Sequence, residues 1–313
     1  MRVTVIVNPA AGTAEDRGPL DAARRKLSDA GHQVDVHETS HQGDAERLAR
    51  EATGLDADVI VAAGGDGTLN EVVNGVASVA EALSRCAIGV LPFGTGNDFA
   101  RSLGIDDRDV AVAALVAGVT RAVDAISLGD RMFLNASAGG FTAETSANVT
   151  SDLKQAVGPF AYLIGGARAV LDYEPVAVRV EADDRVIETD LQLFAVCNGA
   201  YIGGGHQIAP TARLDDGVME VCLVRATSTL DFLALLPRIS SGGHVDDENV
   251  AYFRTREVSM TFARTIRINT DGEVIEASRC DYRIRPRAVR MVAPQPAESP
   301  GPALPGLSAK IVV

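Results

Sequence analysis

Short apolar runs alternate with amphipathic segments through residues 1–125, and this rhythm restricts the fold more than any other feature of the sequence. The runs 2–7, 57–63 and 86–92 are typical of buried strands, and segments such as 44–53 are typical of helices. Repeated strand–helix units predict a parallel sheet with helices on both faces. Ligands bind such sheets at the carboxyl ends of the strands, so the loops that follow these three strands are the candidate sites.

From about residue 131 the pattern changes to short strands of alternating polarity, interrupted by one predicted helix over 229–240. The predicted strands are 175–182, 191–198, 218–226, 257–263, 265–270 and 288–293. This pattern predicts a mostly antiparallel β-sandwich or half-barrel. We therefore expect an α/β domain over residues 1–126, a β-rich domain over 127–293 and a proline-rich tail over 294–313. The last residues of the tail are candidates to dock back on the first domain.

The 313 residues carry a formal net charge of −13, with 46% hydrophobic and 23% charged residues. This composition is typical of a soluble globular protein, and the acidic balance lacks the basic surface that nucleic-acid binding requires. No apolar run approaches the roughly 20 residues that span a bilayer, and the first residues fit a strand better than a signal peptide. We therefore expect a cytoplasmic protein with no nucleic-acid partner.

Glycine-rich loops follow all three of the predicted strands. They are NPAAGT (8–13), GGDGTLNE (64–71) and PFGTGNDFAR (92–101). Glycine exposes backbone N–H groups, and a following helix N-terminus adds partial positive charge, which together suit phosphate oxygens. The sequence has no G-x-x-x-x-G-K-[ST] loop and no G-x-G-x-x-G loop after the first strand. One such loop is usually a tight turn, but three at one sheet edge predict a phosphate site of another kind.

Asp66 and Asp98 lie within the second and third loops, where a bare carboxylate would repel phosphate. Their placement is explained if Mg²⁺ lies between carboxylate and phosphate, held directly or through water. The sequence therefore predicts a magnesium–nucleotide site at this edge of the first domain.

The same residues carry a family resemblance. GGDGTLNEVVNG followed by PFGTGNDFAR resembles the diacylglycerol kinase catalytic domain. The chain as a whole is similar to the bacterial and archaeal diacylglycerol kinase-like lipid kinases, which are related to sphingosine kinases and more distantly to NAD kinases. Further matching motifs are NPAAG, GPFAY (158–162), NGAYIGGG (198–205), APTARLDDG (209–217) and TDGE (270–273). The resemblance implies the NAD kinase/diacylglycerol kinase-like fold.

The resemblance also implies roles for the matching positions of the first half. ATP would contact Asn8, Pro9, Ala10, Ala11, Gly12, Thr39, Gly65, Asp66, Gly67, Thr68, Leu69, Asn70, Glu71, Thr95 and Asn97. Asp66, Asp98 and Asp124 would form an aspartate–water–Mg²⁺ network near the phosphates. The alternative for Asp124 is a surface turn residue.

Two motifs of the second half have implied roles. Asp271 and Glu273, two apart on an extended segment, can face the same side. In the family a residue of the TDGE motif is the base that accepts the proton of the lipid hydroxyl. We favour Glu273 as this base, with Asp271 orienting it or acting in its place. The alternative is a β-turn, which Asp-Gly forms readily.

In RLDDGV (213–218) the resemblance implies a structural Mg²⁺ site. Its ligands would be the Asp216 carboxylate and the backbone carbonyls of Arg213 and Val218. The alternative is again a plain Asp-Gly turn.

We therefore expect an ATP-dependent lipid kinase that transfers the γ-phosphoryl group to a lipid hydroxyl in the cleft between the two domains, with Mg²⁺. The segments 158–171 and 230–237 are candidate walls of a lipid groove, with core packing as the alternative. Because the substrate comes from a bilayer, we expect transient contact with the inner face of the membrane; a homodimer is left open. The alternatives are an NAD kinase, which shares GGDG, and a non-catalytic nucleotide-binding regulator.

Overall fold

A computed structural model describes residues 1–12, 17–140 and 174–294 of the chain. The helices in these ranges are α1 (Gly18–Asp29), α2 (Asp44–Gly54), α3 (Asp66–Ala77), α4 (Ala82–Arg85), α5 (Asp98–Ser102), α6 (Arg108–Ala117) and α7 (Thr229–Ser241). The strands are β1 (Arg2–Val7), β2 (Gln33–Glu38), β3 (Val59–Gly64), β4 (Ala87–Pro92), β5 (Thr120–Leu128), β6 (Arg131–Phe133), β7 (Ala136–Gly140), β8 (Val176–Ala182), β9 (Arg185–Cys197), β10 (Met219–Arg225), β11 (Val250–Thr255), β12 (Glu257–Thr270) and β13 (Glu273–Val292).

In the N-terminal half, β2, β1, β3 and β4 are neighbours in this order and run parallel to one another. Every residue of β3 is buried, as expected for a strand inside such a sheet. The pairs Val7↔Ala63 and Gly64↔Pro92 show that the carboxyl ends of β1, β3 and β4 lie level. The helix α1 packs on α6, and α3 packs on both α2 and α4. The three glycine loops therefore leave the sheet side by side.

The C-terminal half is an extensive antiparallel sheet with two apolar cores. One core packs side chains of β8, β9, β12 and β13, including the buried Phe194 and Tyr282. The other lies beneath α7, where Phe232, Leu235 and Ile239 are buried. The predicted groove segment 230–237 thus contributes part of its length to core packing, and the predicted groove segment 158–171 lies outside the described residues.

The strand β13 connects the two halves. Its first residues form a hairpin with β12, and Met291 near its end pairs in parallel with Ile88 of β4. Val289, Met291 and Val292 are buried in the core of the N-terminal half. The chain after residue 288 therefore completes the first core, although the sequence assigns it to the second domain. All but the first residue of the predicted tail lies outside the described residues.

Membrane-spanning helices are absent from the part of the chain that the structure describes, because none of its helices is both long and apolar enough.

Candidate active site

The loop after β1 lies against the loops after β3 and β4. The Asn8 N–H donates to the Ala63 carbonyl at 3.0 Å, and the Asn8 side-chain amide lies 3.4 Å from the Thr68 hydroxyl. Gly12 has a φ of +47°, and a Cβ atom there would lie 2.3 Å from the Phe93 carbonyl oxygen. A side chain at this position would clash with backbone, so glycine is required for the loop to close on its neighbour.

The N-terminus of α3 opens toward the same edge. The N-cap of the helix is Gly65, which has no side chain to accept the first N–H groups. Its first N–H groups therefore remain available to an anion and carry the positive end of the helix dipole. A Cβ atom on Gly94 would lie 2.6 Å from Gly65 Cα, so the loops after β3 and β4 are in backbone contact. This arrangement can cradle phosphate oxygens.

Asp66 directs its carboxylate to the start of α5. One oxygen accepts the N–H of Asp98 and the other accepts the N–H of Phe99, both at 3.1 Å. Asp66 thus satisfies two N–H groups that α5 cannot pair internally. Burial, followed by the nearby negative Asp98, raises the pKa of the Asp66 carboxyl.

Asp98 lies in the same corner with its side chain buried. Its carboxylate accepts the N–H of Gly204 at 2.9 Å and pairs with Arg101 at 3.4 Å. A Cβ atom on Gly96 would lie 3.4 Å from Asp66 Oδ2 and 3.5 Å from Asp98 Oδ2. Oxygens of both acids therefore face one small region, which a divalent cation would stabilise by relieving their repulsion.

The TDGE motif folds as a two-residue turn between β12 and β13. Thr270 pairs with Glu273, and the intervening Asp271 and Gly272 have φ values of 46° and 90°. Positive φ at both positions is the requirement of a type I′ hairpin. A Cβ atom on Gly272 would lie 3.3 Å from Gly67 Cα, so the turn lies against the start of α3. The structure thus brings the predicted acids of the second half to the glycine loop of the first.

The buried Asp271 carboxylate is held by backbone N–H groups. One oxygen accepts from Leu134 at 2.8 Å and Asn135 at 3.0 Å, and the other accepts from Ala136 at 2.8 Å. Burial raises the pKa of Asp271 to about 7 despite these three donors, and the negative Asp66 adds to the increase. Asp271 therefore holds the TDGE turn against residues 134–136. With a pKa of about 7, its carboxyl group gains or loses a proton near neutral pH.

Glu273, the first residue of β13, belongs to a chain of charged side chains. Its Oε2 lies 3.0 Å from one nitrogen of Arg131, whose other terminal nitrogen lies 2.9 Å from Glu46. Its Oε1 accepts no hydrogen bond from any residue that the structure describes. The Glu273 side chain is 34% exposed, so this second oxygen is accessible to a substrate.

Three residues predicted to contact ATP direct their side chains into the protein. Leu69 and Asn70 are buried, and the Asn70 side-chain oxygen accepts a hydrogen bond from Asn74 at 2.9 Å. The Glu71 carboxylate accepts the N–H groups of Gly43 and Ala45 at the start of α2, each at 3.0 Å. Their contact with nucleotide remains a prediction, and the structure gives Leu69 a role in packing and Asn70 and Glu71 a role in hydrogen bonding.

The other predicted nucleotide residues lie around the loop edge. Thr95 is exposed and Thr39 partly so, and the Thr39 N–H donates to the Val7 carbonyl at 2.9 Å. Asn97 has a φ of 51° and donates its side-chain N–H to the Gly94 carbonyl at 2.6 Å. In the first loop, Asn8, Pro9 and Ala11 are half-buried, and Ala10 and Gly12 are exposed.

Asp124 is completely buried, which rules out the alternative of a surface turn residue. Its two oxygens accept the N–H groups of Gly217 at 2.7 Å and Arg287 at 2.6 Å. Within the described residues, no hydrogen bond of Asp124 reaches the corner of Asp66 and Asp98. The side chain instead ties β5 to the RLDDGV loop and to the irregular part of β13.

The RLDDGV loop lies against a positively charged side chain of the protein itself, Arg254. One Asp216 oxygen pairs with the Arg254 guanidinium, and the other lies 3.4 Å from the Val218 N–H. The Arg254 Nε also lies 3.1 Å from the buried Glu220. Over residues 1–12, 17–140 and 174–294, no group of three His, Cys, Asp or Glu side chains could hold a metal ion. A metal with Asp216, Arg213 and Val218 as ligands would have to displace Arg254.

Sequence reasoning missed the residues that hold the acids in place. Arg131 and the N–H groups of 134–136 contact the TDGE acids across more than 130 residues of sequence. The buried Asn198 donates to the carbonyls of Asp124 at 3.0 Å and Leu134 at 2.7 Å. Asn198 starts the NGAYIGGG motif, so the motif was a usable signal, whereas nothing around Arg131 marks it.

Comparison with protein-family models matches residues 2–128 to the diacylglycerol kinase catalytic domain and residues 135–293 to the YegS C-terminal NAD kinase beta sandwich-like domain. A diacylglycerol kinase of Bacillus subtilis (strain 168) is 33% identical over 274 residues, which cover 87% of this chain and 89% of that protein. A diacylglycerol kinase of Staphylococcus epidermidis is 34% identical over 273 residues, with 87% and 85% covered.

A solved structure of a diacylglycerol kinase from Bacillus anthracis str. Sterne is similar to this chain with a TM-score of 0.76 at 25% sequence identity. The match covers 94% of this chain and 97% of that one. Together with the family models, it confirms the resemblance predicted from the motifs and the two-part fold, an N-terminal catalytic-type half followed by a β-sandwich half.

Proposed function

Because this chain belongs to the diacylglycerol kinase family and is an ATP-dependent lipid kinase, we propose that it phosphorylates the free hydroxyl of a diacylglycerol-like lipid. The observation that carries this proposal is the contact between the TDGE turn and the start of α3, where a Cβ atom on Gly272 would lie 3.3 Å from Gly67 Cα. Acids from the second half thereby adjoin a glycine loop of the first. Phosphoryl transfer needs this proximity, because its catalysis consists mainly of positioning and charge stabilisation.

We propose that the loops after β1, β3 and β4 bind ATP with its phosphates facing the start of α3. The support is the backbone contact between the loops and the glycine N-cap of α3, which contributes no capping side chain. Asn8 fixes the first of these loops, since its side-chain oxygen accepts the Ala10 N–H at 3.0 Å. Backbone N–H groups then supply most of the phosphate contacts.

The donor set of the Asp66–Asp98 corner fits Mg²⁺, a hard cation that prefers carboxylate oxygens and keeps several waters. The raised pKa of Asp66 supports this, because one cause of the shift is the negative charge of Asp98. Asp66 and Asp98 would hold the cation, which would neutralise charge on the transferred phosphoryl group. Asp66 also caps α5, so it holds this corner in shape without a ligand.

We propose that Glu273 accepts the hydroxyl proton through its free oxygen, while Arg131 holds the other oxygen. Asp271 positions the turn through its three backbone N–H contacts. Asp271 is also the alternative base, since burial raises its pKa to about 7. The two roles are separable by mutation.

The lipid reaches this site from a membrane, so the proposal includes transient contact with a bilayer surface. The net charge of −13 disfavours general electrostatic attraction to anionic lipid. Contact is therefore local and weak, and the protein works as a peripheral enzyme on the inner face of the membrane.

Labelled phosphate transfer tests the proposed reaction. The full-length protein receives [γ-³²P]ATP together with dioleoylglycerol in mixed micelles, a total lipid extract and NAD, with and without Mg²⁺. We expect a labelled, Mg²⁺-dependent phosphatidate, and lipid label that persists without Mg²⁺ would overturn the metal role. Label in NADP instead would favour an NAD kinase, and bound ATP without any transfer would favour a regulator.

The matched variants for this assay are Asp66→Asn and Asp130→Asn. Asp66 lies in the proposed metal corner, whereas Asp130 is exposed in the turn between β5 and β6. We expect Asp66→Asn to lose at least about a hundredfold in rate, the scale of one lost electrostatic contact in a transition state. Asp130→Asn should match the wild type.

A further inference from the structure

A cavity of about 300 Å³ lies beside the Asp98 corner, where Arg101, the last residue of the third glycine loop, lines it. Three arginines line it, Arg101 from α5, Arg121 from β5 and Arg213 from the RLDDGV loop. None of the described residues that line this cavity is acidic. Three guanidinium groups from separate parts of the chain are unexpected in a protein of net charge −13.

Carboxylates outside the cavity only partly compensate these charges. Arg101 pairs with Asp98 at 3.4 Å. The Asp215 carboxylate lies near both of the other arginines, 3.0 Å from Arg121 and 3.9 Å from Arg213. The second distance is too long for a hydrogen bond, and the Asp215 oxygen on that side is buried without a hydrogen-bond partner among the described residues. The cavity therefore retains positive charge.

The neighbouring side chains hold the guanidinium of Arg101 in place. Arg101 lies over the Tyr201 ring, 5.6 Å from its centroid, and a Cβ atom on Gly205 would lie 2.6 Å from the Arg101 guanidinium. Gly205 has a φ of +112°, so glycine is favoured there and leaves room for the arginine. Tyr201 and Gln207 also line the cavity and offer a hydroxyl and an amide as further hydrogen-bond groups.

We propose that this cavity is a binding site for a phosphate group, separate from the nucleotide phosphates. Planar guanidinium groups match phosphate oxygens in pairs, and several of them around one cavity are typical of phosphate recognition. A volume of about 300 Å³ accommodates a phosphate with part of a glycerol backbone. The phosphate comes either from a phospholipid head group or from free inorganic phosphate, and the same three arginines serve both.

The site does not depend on the proposed reaction, because it is tested by binding without turnover. Isothermal titration calorimetry on the full chain uses constant ionic strength and saturating adenylyl imidodiphosphate, which keeps the nucleotide loops occupied. The probes are inorganic phosphate, water-soluble dihexanoylphosphatidate and neutral dihexanoylglycerol. We expect saturable binding of at least one phosphate-bearing probe. Tighter binding of the phosphatidate supports a lipid head-group site, and equal affinity for both phosphates supports a free-phosphate site.

The decisive variant is Arg213→Gln, because among the described residues this exposed side chain has only the 3.9 Å contact to Asp215 to lose, and the fold should tolerate the change. Its affinity for phosphate and phosphatidate should fall by about tenfold, the scale of one lost charge-assisted hydrogen bond. Arg121→Gln should do the same, with its melting temperature measured because it also loses Asp215. The control Arg179→Gln removes an exposed arginine paired with Glu181 and should leave affinity unchanged.

Two results would overturn the proposal. One is the absence of saturable binding of either phosphate probe to the wild type. The other is equal affinity of the wild type and Arg213→Gln for both probes, which would assign any binding to acyl chains or to another surface.

Discussion

Asp271 shows at the scale of one residue how burial and hydrogen bonding oppose each other. Three N–H donors favour its carboxylate, yet burial raises its pKa to about 7. Protonation removes an acceptor that the Ala136 or Leu134 N–H needs. We therefore expect the acid form to loosen the turn that carries Glu273, and it is also unable to act as a base.

We therefore predict that kcat at saturating ATP decreases as pH falls through about 7, the pKa of Asp271. The sign follows from the raised pKa, since the group binds a proton below this pH and releases it above. Initial rates from pH 5.5 to 8.5 measure this effect. In Asp271→Asn the same decrease should be absent, and an unchanged profile in that variant would assign it to another group.

Gly12 makes a second prediction at this scale. Gly12→Ala places a Cβ atom 2.3 Å from the Phe93 carbonyl oxygen, at a φ of +47°. We expect a loss of about 1–3 kcal/mol in the free energy of unfolding from backbone strain and a higher KM for ATP. Urea denaturation and ATP titration measure the two effects. Gly104→Ala is the control, because it shares a positive φ but has nothing within 4 Å of its Cβ position.

Among the structural elements, β5 is held to its surroundings by Asp124. Asp124→Ala leaves the partly buried N–H groups of Gly217 and Arg287 without acceptors. Since each unsatisfied group costs about 1–3 kcal/mol, we predict a loss of about 3 kcal/mol in unfolding free energy. If the role is structural, the Mg²⁺ concentration for half-maximal activity should be unchanged. A large increase in that concentration with normal stability would instead support the predicted metal network.

The elements themselves were largely predictable, because hydrophobic periodicity is local. Predicted strand 86–92 is β4 at Ala87–Pro92, and predicted helix 229–240 is α7 at Thr229–Ser241. Predicted strands 257–263 and 265–270 are one continuous strand, β12, whose pairing with β13 is irregular between Thr261 and Ile266. From the sequence alone, an irregularity in strand pairing cannot be distinguished from a loop between two strands.

The candidate site was predictable where glycine and aspartate follow a strand, as in the loops around Gly65 and Gly94. It was not predictable where side chains meet across long separations. Arg131 contacts Glu273, which lies 142 residues further along the chain, and the Glu71 carboxylate accepts a backbone N–H at the N-terminus of α2. Charge at such positions carries no local pattern, so the sequence alone cannot distinguish a ligand contact from a structural one.

At the scale of the whole molecule, one hydrogen-bonded sheet runs through both halves, and β13 joins them. The proposed lipid substrate is insoluble, so the proposed reaction requires the enzyme to act at a lipid surface. We predict that activity on dioleoylglycerol depends on its surface fraction in mixed micelles at fixed total lipid. Soluble dihexanoylglycerol is the control and should be phosphorylated without micelles. Phosphorylation of dioleoylglycerol independent of surface fraction would refute surface action.

The central claim is that the loops of the N-terminal half bind ATP, whereas the TDGE turn acts on the acceptor lipid. It is tested most directly by measuring ATP binding and phosphoryl transfer separately in Glu273→Gln. We predict that the Kd for ATP stays within about twofold of the wild type, because the nucleotide loops are unchanged. Transfer to dioleoylglycerol should fall by about 10²–10⁴-fold, the range for loss of a general base. Full activity in this variant, or an equal loss of ATP binding, would contradict the assignment of the TDGE turn to the acceptor side of the reaction.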